Sequence, residues 1–270
     1  MSKRRFPFAV AMVAALALPA QAATVLFTQD WEAPVGFVND GGDMNILRTV
    51  NQNYANQPPG FTYWQPYTTE MLLVGGEQAF GVGFQDPQSI AGSHVVSMLS
   101  SAQDDRLGMA FSIGAQSFVN ARMDISSIDL DRQGGPFVPA GGAAPVVRLR
   151  LYDNPGGVAG SPAGALLSFA DATGVPGPNK WTFDWRNVVF ALDAAGNTNG
   201  NVLLEVDLLA GGYAAMDNFV IAVSDRPGDV PVIPEPGTLA LLLAGLGAVG
   251  CWARRQRHAL LATHPGTGGC

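Results

Sequence analysis

Apolar and polar residues alternate with a period of two along most of the chain, and Gly, Pro, Asn and Asp interrupt the alternation. Successive side chains of a β-strand point to opposite faces, so this pattern predicts half-buried strands joined by turns. Val147, Leu149 and Leu151 alternate with two arginines, and the apolar residues of 202–208 alternate with Glu205 and Asp207. Both segments are therefore predicted strands with one apolar face and one charged face.

The same signal recurs along the middle of the chain. Strands are predicted over 25–32, 93–99, 107–113, 122–131, 181–190 and 213–223. The phase of 122–131 slips at Ser126 and Ser127, which predicts a β-bulge there. Residues 33–70 are rich in loop formers, and no repeat and no long soluble helix is predicted. Strands in this number and spacing predict an all-β fold, an antiparallel jelly-roll-like β-sandwich.

The N-terminal segment has the three parts of a cleavable signal peptide. Lys3, Arg4 and Arg5 precede an apolar run over 6–18, and a small-residue cleavage site ends at Ala22. The apolar run is shorter than a membrane anchor requires, so we expect cleavage after Ala22 rather than lasting anchorage. The sandwich is thus predicted to be exported and to follow an N-terminal signal helix.

The C-terminal segment joins a Pro-Glu-Pro motif directly to an apolar span. Pro234 and Pro236 keep the motif extended, because proline disfavours helix at the preceding residue. Residues 238–253 carry no charge and would form a helix about 24 Å long, somewhat less than a hydrocarbon core of about 30 Å. A C-terminal transmembrane helix is therefore predicted. The cluster of Arg254, Arg255 and Arg257 should stay on its cytoplasmic side.

This tripartite tail resembles the PEP-CTERM sorting signal of exported bacterial proteins. The resemblance implies that Pro234, Glu235 and Pro236 are recognised by an exosortase, a membrane-embedded enzyme with a cysteine nucleophile. The enzyme is expected to cut near the motif and to release or transfer the protein to the cell surface. Members usually end soon after the basic cluster, whereas residues 258–270 follow it here without an explained role. The alternative interpretation is an ordinary single-pass anchor.

These signals predict the domain organisation and the location of the protein. We expect the chain to meet the export machinery, an exosortase and, transiently, the membrane. It would pass through an inner-membrane intermediate to the cell surface or extracellular matrix of a Gram-negative bacterium. The predicted parts are a signal peptide at 1–22, an exported β-sandwich at 23–226, a linker at 227–233, a sorting signal at 234–257 and the tail at 258–270.

Composition narrows the chemistry of the exported part. Residues 23–229 contain 17 Asp and 4 Glu against 8 Arg and 1 Lys, a net charge of −12, and no cysteine. Such a charge argues against nucleic acid as a partner. The absence of cysteine excludes disulfides and thiolate metal sites from this part.

The sequence offers little support for catalysis. His94 is the only histidine of 23–229, and it lies in an apolar predicted strand without a nucleophile-elbow motif elsewhere. No metalloprotease or phosphate-binding motif is present either. A glycosidase needs only two carboxylates, which so acidic a chain supplies many times over. We expect a non-enzymatic protein, with a surface glycan hydrolase as the alternative.

Calcium is the cofactor that the acidic residues of the sequence suggest. A loop that begins at Asp129 starts like an EF-hand, but its twelfth position is Ala140 instead of Glu, so that site is not expected. A calcium site of the jelly-roll kind would use Glu32 and Asp217 with backbone carbonyls. The other interpretation is that Glu32 is solvated and Asp217 only begins a strand.

Aromatic residues are the candidate glycan contacts. Tyr63, Trp64 and Tyr67 lie in a proline-rich loop where their rings could stack on sugars, and core filling is the alternative. Core filling is the expected role of Trp181 and Trp185. The turn Asp30-Trp31-Glu32 and the segment 213–223 resemble parts of jelly-roll carbohydrate-binding modules. This resemblance implies a structural or glycan-binding role towards extracellular polysaccharide.

Overall fold

The structure is a computed structural model that describes residues 22–55, 60–64, 69–100, 105–128, 144–157 and 164–232. Helical structure in these residues is limited to α1 (Val50–Asn53) and a 3₁₀ turn (Ala79–Gly81). The strands are β1 (Thr24–Gln29), β2 (Met44–Asn45), β3 (Thr62–Trp64), β4 (Glu70–Leu73), β5 (His94–Leu99), β6 (Arg106–Ser112), β7 (Phe118–Ile128), β8 (Val146–Asp153), β9 (Leu166–Thr173), β10 (Arg186–Asp193), β11 (Asn201–Ala210) and β12 (Tyr213–Ser224).

The strands form two antiparallel sheets, which confirms the predicted all-β sandwich. The first sheet has the order β10-β7-β12-β5-β4-β2, and β1 pairs with the second half of β12. The second sheet has the order β3-β6-β11-β8-β9. Most neighbouring strands are not consecutive in the chain; among the described strands, β4–β5 and β8–β9 are the consecutive pairs.

The hydrophobic core lies between the two sheets and follows the alternation of the sequence. Val147, Leu149 and Leu151 of β8 face inward with 0% exposure, next to the alternating apolar residues of β11. Burying each such side chain contributes about 1.5–3 kcal/mol. The prediction of one apolar and one charged face for β8 and β11 is therefore correct. Their charged residues lie on the outer face of the second sheet.

The predicted bulge at Ser126 and Ser127 is wrong. Ser126 and Ser127 pair in regular register with Ala215 and Ala214 of β12, and the register shift lies in β12 between Asp217 and Val220, where Asn218 has a φ of +52°. The alternation slips because this part of β7 is covered on both faces. Ile128 belongs to a second apolar cluster on the outer face of the first sheet, beneath the segments that carry Phe84 and Phe183.

Two other sequence-based assignments need correction. The strand predicted over 181–190 begins only at Arg186, and the preceding aromatic residues belong to a covering segment in which Phe183 and Trp185 are buried. The prediction did not include β9, which places two alanines on the inner face and Phe169 on the outer face.

The chain divides into two units, Met1–Val230 and Pro231–Cys270. The signal peptide through residue 21, the residues of the motif and the apolar span, and the last thirteen residues lie outside the part that the structure describes. Among the described residues, none belongs to a helix with the length and apolar character needed to span a bilayer.

Candidate functional site

A set of paired charged side chains lies on the outer face of the second sheet. It forms because the charged positions of four strands share one face. Cross-strand pairing aligns Glu205 with Arg150 and Asp207 with Arg148. It also aligns Arg150 with Phe169 and Arg148 with Asp171. We call this set, together with Arg106 and Tyr152, the charged face.

Buried carboxylates hold the arginines of the charged face in place. The side chain of Glu205 has 0% exposure, and its Oε1 and Oε2 lie 2.8 Å from Arg150 Nη1 and 3.3 Å from Arg106 Nη1. The same Arg150 Nη1 lies 2.6 Å from Asp207 Oδ2. Because removal from water makes an unpaired carboxylate costly, these ion pairs require the arginines to stay where they are.

The rim of the charged face at β9 is open to solvent. Arg148 donates from Nε and Nη2 to the two carboxylate oxygens of Asp171 at 2.7 and 2.8 Å, and its guanidinium lies 4.6 Å from the centre of the Phe169 ring. Phe169 is 54% exposed. An exposed ring beside a planar ion pair is a surface on which a flat ligand can stack.

The charges of this rim are mutually stabilised. The hydrogen bond to Asp171 raises the pKa of Arg148, and the same bond lowers the pKa of Asp171. For Arg150, burial acts to lower the pKa, but the hydrogen bonds to Asp207 and Glu205 outweigh it, so that the pKa is raised. The charged forms of Arg148 and Arg150 are consequently stabilised.

Of the three aromatic residues predicted to stack on sugars, Tyr63 is the one whose side chain the structure describes. Tyr63 is 2% exposed and packs in the core, where its ring centre lies 5.9 Å from that of Phe27 and 6.2 Å from that of Trp31. Both faces of a core ring are covered, so this position argues against Tyr63 as a sugar contact. The backbone of Trp64 pairs with Gly108, and Tyr67 lies outside the described residues.

Glu32 connects the end of β1 to the start of β5. Its carboxylate accepts hydrogen bonds from Ser93 N at 2.9 Å, Ser93 Oγ at 2.7 Å and His94 N at 3.3 Å. Gly92 has a φ of +56°, and a Cβ atom there would collide with this carboxylate. Glu32 is thus a half-buried carboxylate that accepts from the backbone N–H groups of Ser93 and His94, where β5 begins.

Asp217 is 1% exposed and lies in an acidic environment. Burial raises its pKa to about 9 against the opposing hydrogen bond from Asn218 N, and the charges of Glu32 and Asp124 add to the rise. Calcium takes six to eight oxygen ligands. Within the described residues, no group of three or more His, Cys, Asp or Glu side chains is placed to hold a metal ion. A calcium site built from Glu32, Asp217 and backbone carbonyls therefore stays a prediction.

His94 does not complete a catalytic triad. Its Nδ1 lies 2.9 Å from Ser93 Oγ, which donates to Glu32 at 2.7 Å, so the serine lies between the histidine and the carboxylate. In a triad the histidine stands in the middle. The His94 ring packs edge-on against Phe37, and burial lowers its pKa while Glu32 opposes this effect.

The charged face was not identified from the sequence. The sequence does contain a pattern that indicates it. Arg148 and Arg150 alternate with apolar residues, and Glu205 and Asp207 do the same on another strand. A pattern along one strand gives the face of a side chain but not the neighbouring strand. The pairing of β11 with both β8 and β6 supplied the missing information.

Comparisons with solved structures return, among others, carbohydrate-binding and adhesin domains at low similarity. The CBM22-1 xylan-binding domain of Xyn10C from Paenibacillus barcinonensis is 10% identical, with a TM-score of 0.33, over 77% of this chain and 99% of that domain. The K1 cleaved adhesin domain of Lys-gingipain from Porphyromonas gingivalis W83 is 11% identical, with a TM-score of 0.36, over 73% and 97%. TmCBM61, solved with β-1,4-galactotriose, is 10% identical, with a TM-score of 0.32, over 60% and 86%. Scores this low carry no argument about function.

No curated protein sequence was found to match the chain. The comparison with protein families gives a definite result at the C-terminal end. Residues 232–257 match the model described as a PEP-CTERM protein-sorting motif, and this range includes the Pro-Glu-Pro motif, the apolar span and the three arginines. The chain therefore carries a PEP-CTERM protein-sorting motif, which indicates an exported protein that is handled by an exosortase and reaches the cell surface through a membrane-anchored intermediate.

Proposed function

We propose that the exported domain binds polysaccharide at the cell surface or in the extracellular matrix through the charged face, without catalysing a reaction. The observation that carries this proposal is the cross-strand set of oriented charges beside the exposed Phe169. Guanidinium and carboxylate groups present paired donors and acceptors to neighbouring hydroxyl groups of a sugar. The apolar face of a pyranose ring can cover an exposed aromatic ring.

Preorganisation supports affinity. Arg150 uses Nη1 for both of its ion pairs, so its Nε and Nη2 groups have no partner within the described residues. The buried Glu205 and Asp207 already restrict this side chain, and a ligand therefore needs to order little of it. A ligand should therefore bind these restrained donors more tightly than the donors of an unrestrained surface arginine.

The charge of the face indicates the class of glycan. Three arginines are balanced by three carboxylates, although the exported segment as a whole carries a net charge of −12. A neutral face on an acidic domain gives no attraction for a polyanion. We therefore expect uncharged glycans to bind better than glycans rich in uronic acids or sulfate.

A hydrolase is the less favoured function. Glu205 and Asp207 are two positions apart on one strand, so they share a face as a pair of glycosidase carboxylates would. Both carboxylates, however, bind the same nitrogen of Arg150 instead of facing each other across a gap. A substrate cannot be placed between two carboxylates that share one partner.

Calcium is not required in this proposal. Glu32 uses its oxygens for the N–H groups at the start of β5, and Asp217 Oδ1 accepts from Asn218 N at 2.6 Å. These hydrogen bonds occupy oxygens that a calcium ion would otherwise bind. The binding assay should nevertheless be run with calcium and with a chelator.

The test is a glycan array probed with the full chain in mild detergent, followed by titration of the best ligand. Phe169→Ala should weaken binding by about tenfold or more, since stacking on a large aromatic ring is worth about 1.5 kcal/mol or more. Val189→Ala is the matched control, because Val189 is 48% exposed but lies on the first sheet. Unchanged affinity of the Phe169 variant, or release of sugar during incubation, would refute the proposal.

A further inference from the structure

The chain leaves the domain through a turn that is tied back to β7. β12 ends at Ser224, and residues 225–229 turn instead of continuing outward. Ser224 Oγ donates to Arg226 O at 2.8 Å, and Val230 N donates to Gly228 O at 3.0 Å. Ser117 Oγ also reaches Asp225 Oδ1 at 3.2 Å. This exit is therefore ordered by side chains of the sandwich.

Asn120 of β7 is the centre of this arrangement. Its side chain has 0% exposure, and its Oδ1 accepts from Gly228 N at 2.6 Å. Its Nδ2 donates to Ser224 Oγ at 3.1 Å, to Arg226 O at 3.0 Å and to Asp229 O at 3.4 Å. One buried amide thus satisfies backbone groups on both sides of the turn. We call Asn120 with residues 225–229 the Asn120 clasp.

The clasp lies a short distance along the sequence from the sorting motif. Asp229 is the last residue that Asn120 binds, and Pro234 begins the Pro-Glu-Pro motif, so only residues 230–233 separate them. Four residues span at most about 14 Å when fully extended. A protease cleaves a chain that is accessible and locally unfolded, and a hydrogen-bonded turn resists it.

We propose that the Asn120 clasp is a processing stop, which confines any cut that releases the domain to Val230 or the residues after it. Such a cut breaks one peptide C–N bond; its carbonyl carbon gains the oxygen of water, or the nitrogen of an acceptor amine in a transfer, and the departing nitrogen gains a proton. The released domain keeps residues 225–229 as its last turn. This inference is independent of glycan binding.

Two substitutions open the clasp from opposite sides. Asn120→Ala removes every hydrogen bond that the side-chain amide makes to the exit turn. Gly228→Pro removes the N–H that Asn120 Oδ1 accepts, and proline cannot adopt the φ of +73° found at Gly228. The second change lies in the turn alone, so it leaves the sandwich core intact. Asn199→Ala is the matched control, because Asn199 is an exposed asparagine that binds Pro155 O instead of the exit turn.

The experiment is limited proteolysis of the full chain in membranes with a protease of broad specificity, read by the mass of the domain fragment. The wild type and Asn199→Ala should give fragments that end at Val230 or later. Asn120→Ala and Gly228→Pro should be cut within 225–229 about tenfold faster or more, the factor expected from the lost hydrogen bonds. Thermal unfolding checks that each variant folds, and Gly228→Pro decides the result if Asn120→Ala does not fold. A wild-type fragment that ends before Val230, or a folded Gly228→Pro variant cut like the wild type, would overturn the proposal.

Discussion

Glu205→Ala is the most informative perturbation of the charged face. The substitution removes a carboxylate of 0% exposure that binds two arginines, at 2.8 and 3.3 Å. Breaking a fully buried ion pair costs about 3–5 kcal/mol, because the remaining partner keeps its buried charge. Here the side chains of Arg150 and Arg106 are 20% and 27% exposed, so water can reach them. We therefore expect the free energy of unfolding to fall by about 2–3 kcal/mol.

Asp171→Ala is the control on the same face. Asp171 also binds an arginine, but the side chains of this pair are 39% and 27% exposed, and exposed pairs contribute about 0–1 kcal/mol. Urea unfolding of the wild type and both variants in mild detergent measures the difference. For a domain of this size, we expect the Tm to fall by roughly 5–10 °C for Glu205→Ala and by little for Asp171→Ala. Equal effects of the two substitutions would refute the view that buried carboxylates organise the face.

Three further results are expected. Burial raises the pKa of Glu70 although the hydrogen bond from Tyr213 opposes it, so ionisation costs stability as the pH rises above the usual glutamate range. Glu70→Gln should unfold at higher urea than the wild type at pH 8 and equally at pH 4; a constant difference would contradict this. The Tm should be the same with calcium and with a chelator, and Glu32→Gln should lower it in both, whereas a calcium-dependent rise would show that a metal is bound. Replacing residues 234–236 by alanine should retain the protein in the membrane fraction, and normal surface delivery would exclude their role in sorting.

Strands could be predicted from the sequence where only one of their two faces is buried. β8 and β11 alternate between core and charged residues, so their faces could be assigned without a structure. Prediction failed where both faces are covered, as at Ile128, which packs under a loop on the outer face. It also failed for β9, because this strand places alanines inside and a phenylalanine outside, against the usual preference.

The candidate site was predictable only in part for a related reason. Tyr63 was proposed as a surface aromatic because its loop is rich in proline, but its strand position next to Met109 turns it into the core. Phe169 gave no signal, since an exposed phenylalanine looks like a core residue in the sequence. Glu32 and Asp217 were singled out as calcium ligands, and that role stays a prediction. Their partners, Ser93 and Asn218, depend on loop conformation, which a pattern of residue types does not encode.

The central claim is that the charged face binds glycan, and hydrogen–deuterium exchange tests it most directly. The full chain is measured with and without a saturating glycan selected from the array. We expect slower exchange in peptides from β8 and β9, which contain Arg148, Arg150 and Phe169, and unchanged exchange in β10. Protection confined to the first sheet, or to the loops that cover it, would contradict the account.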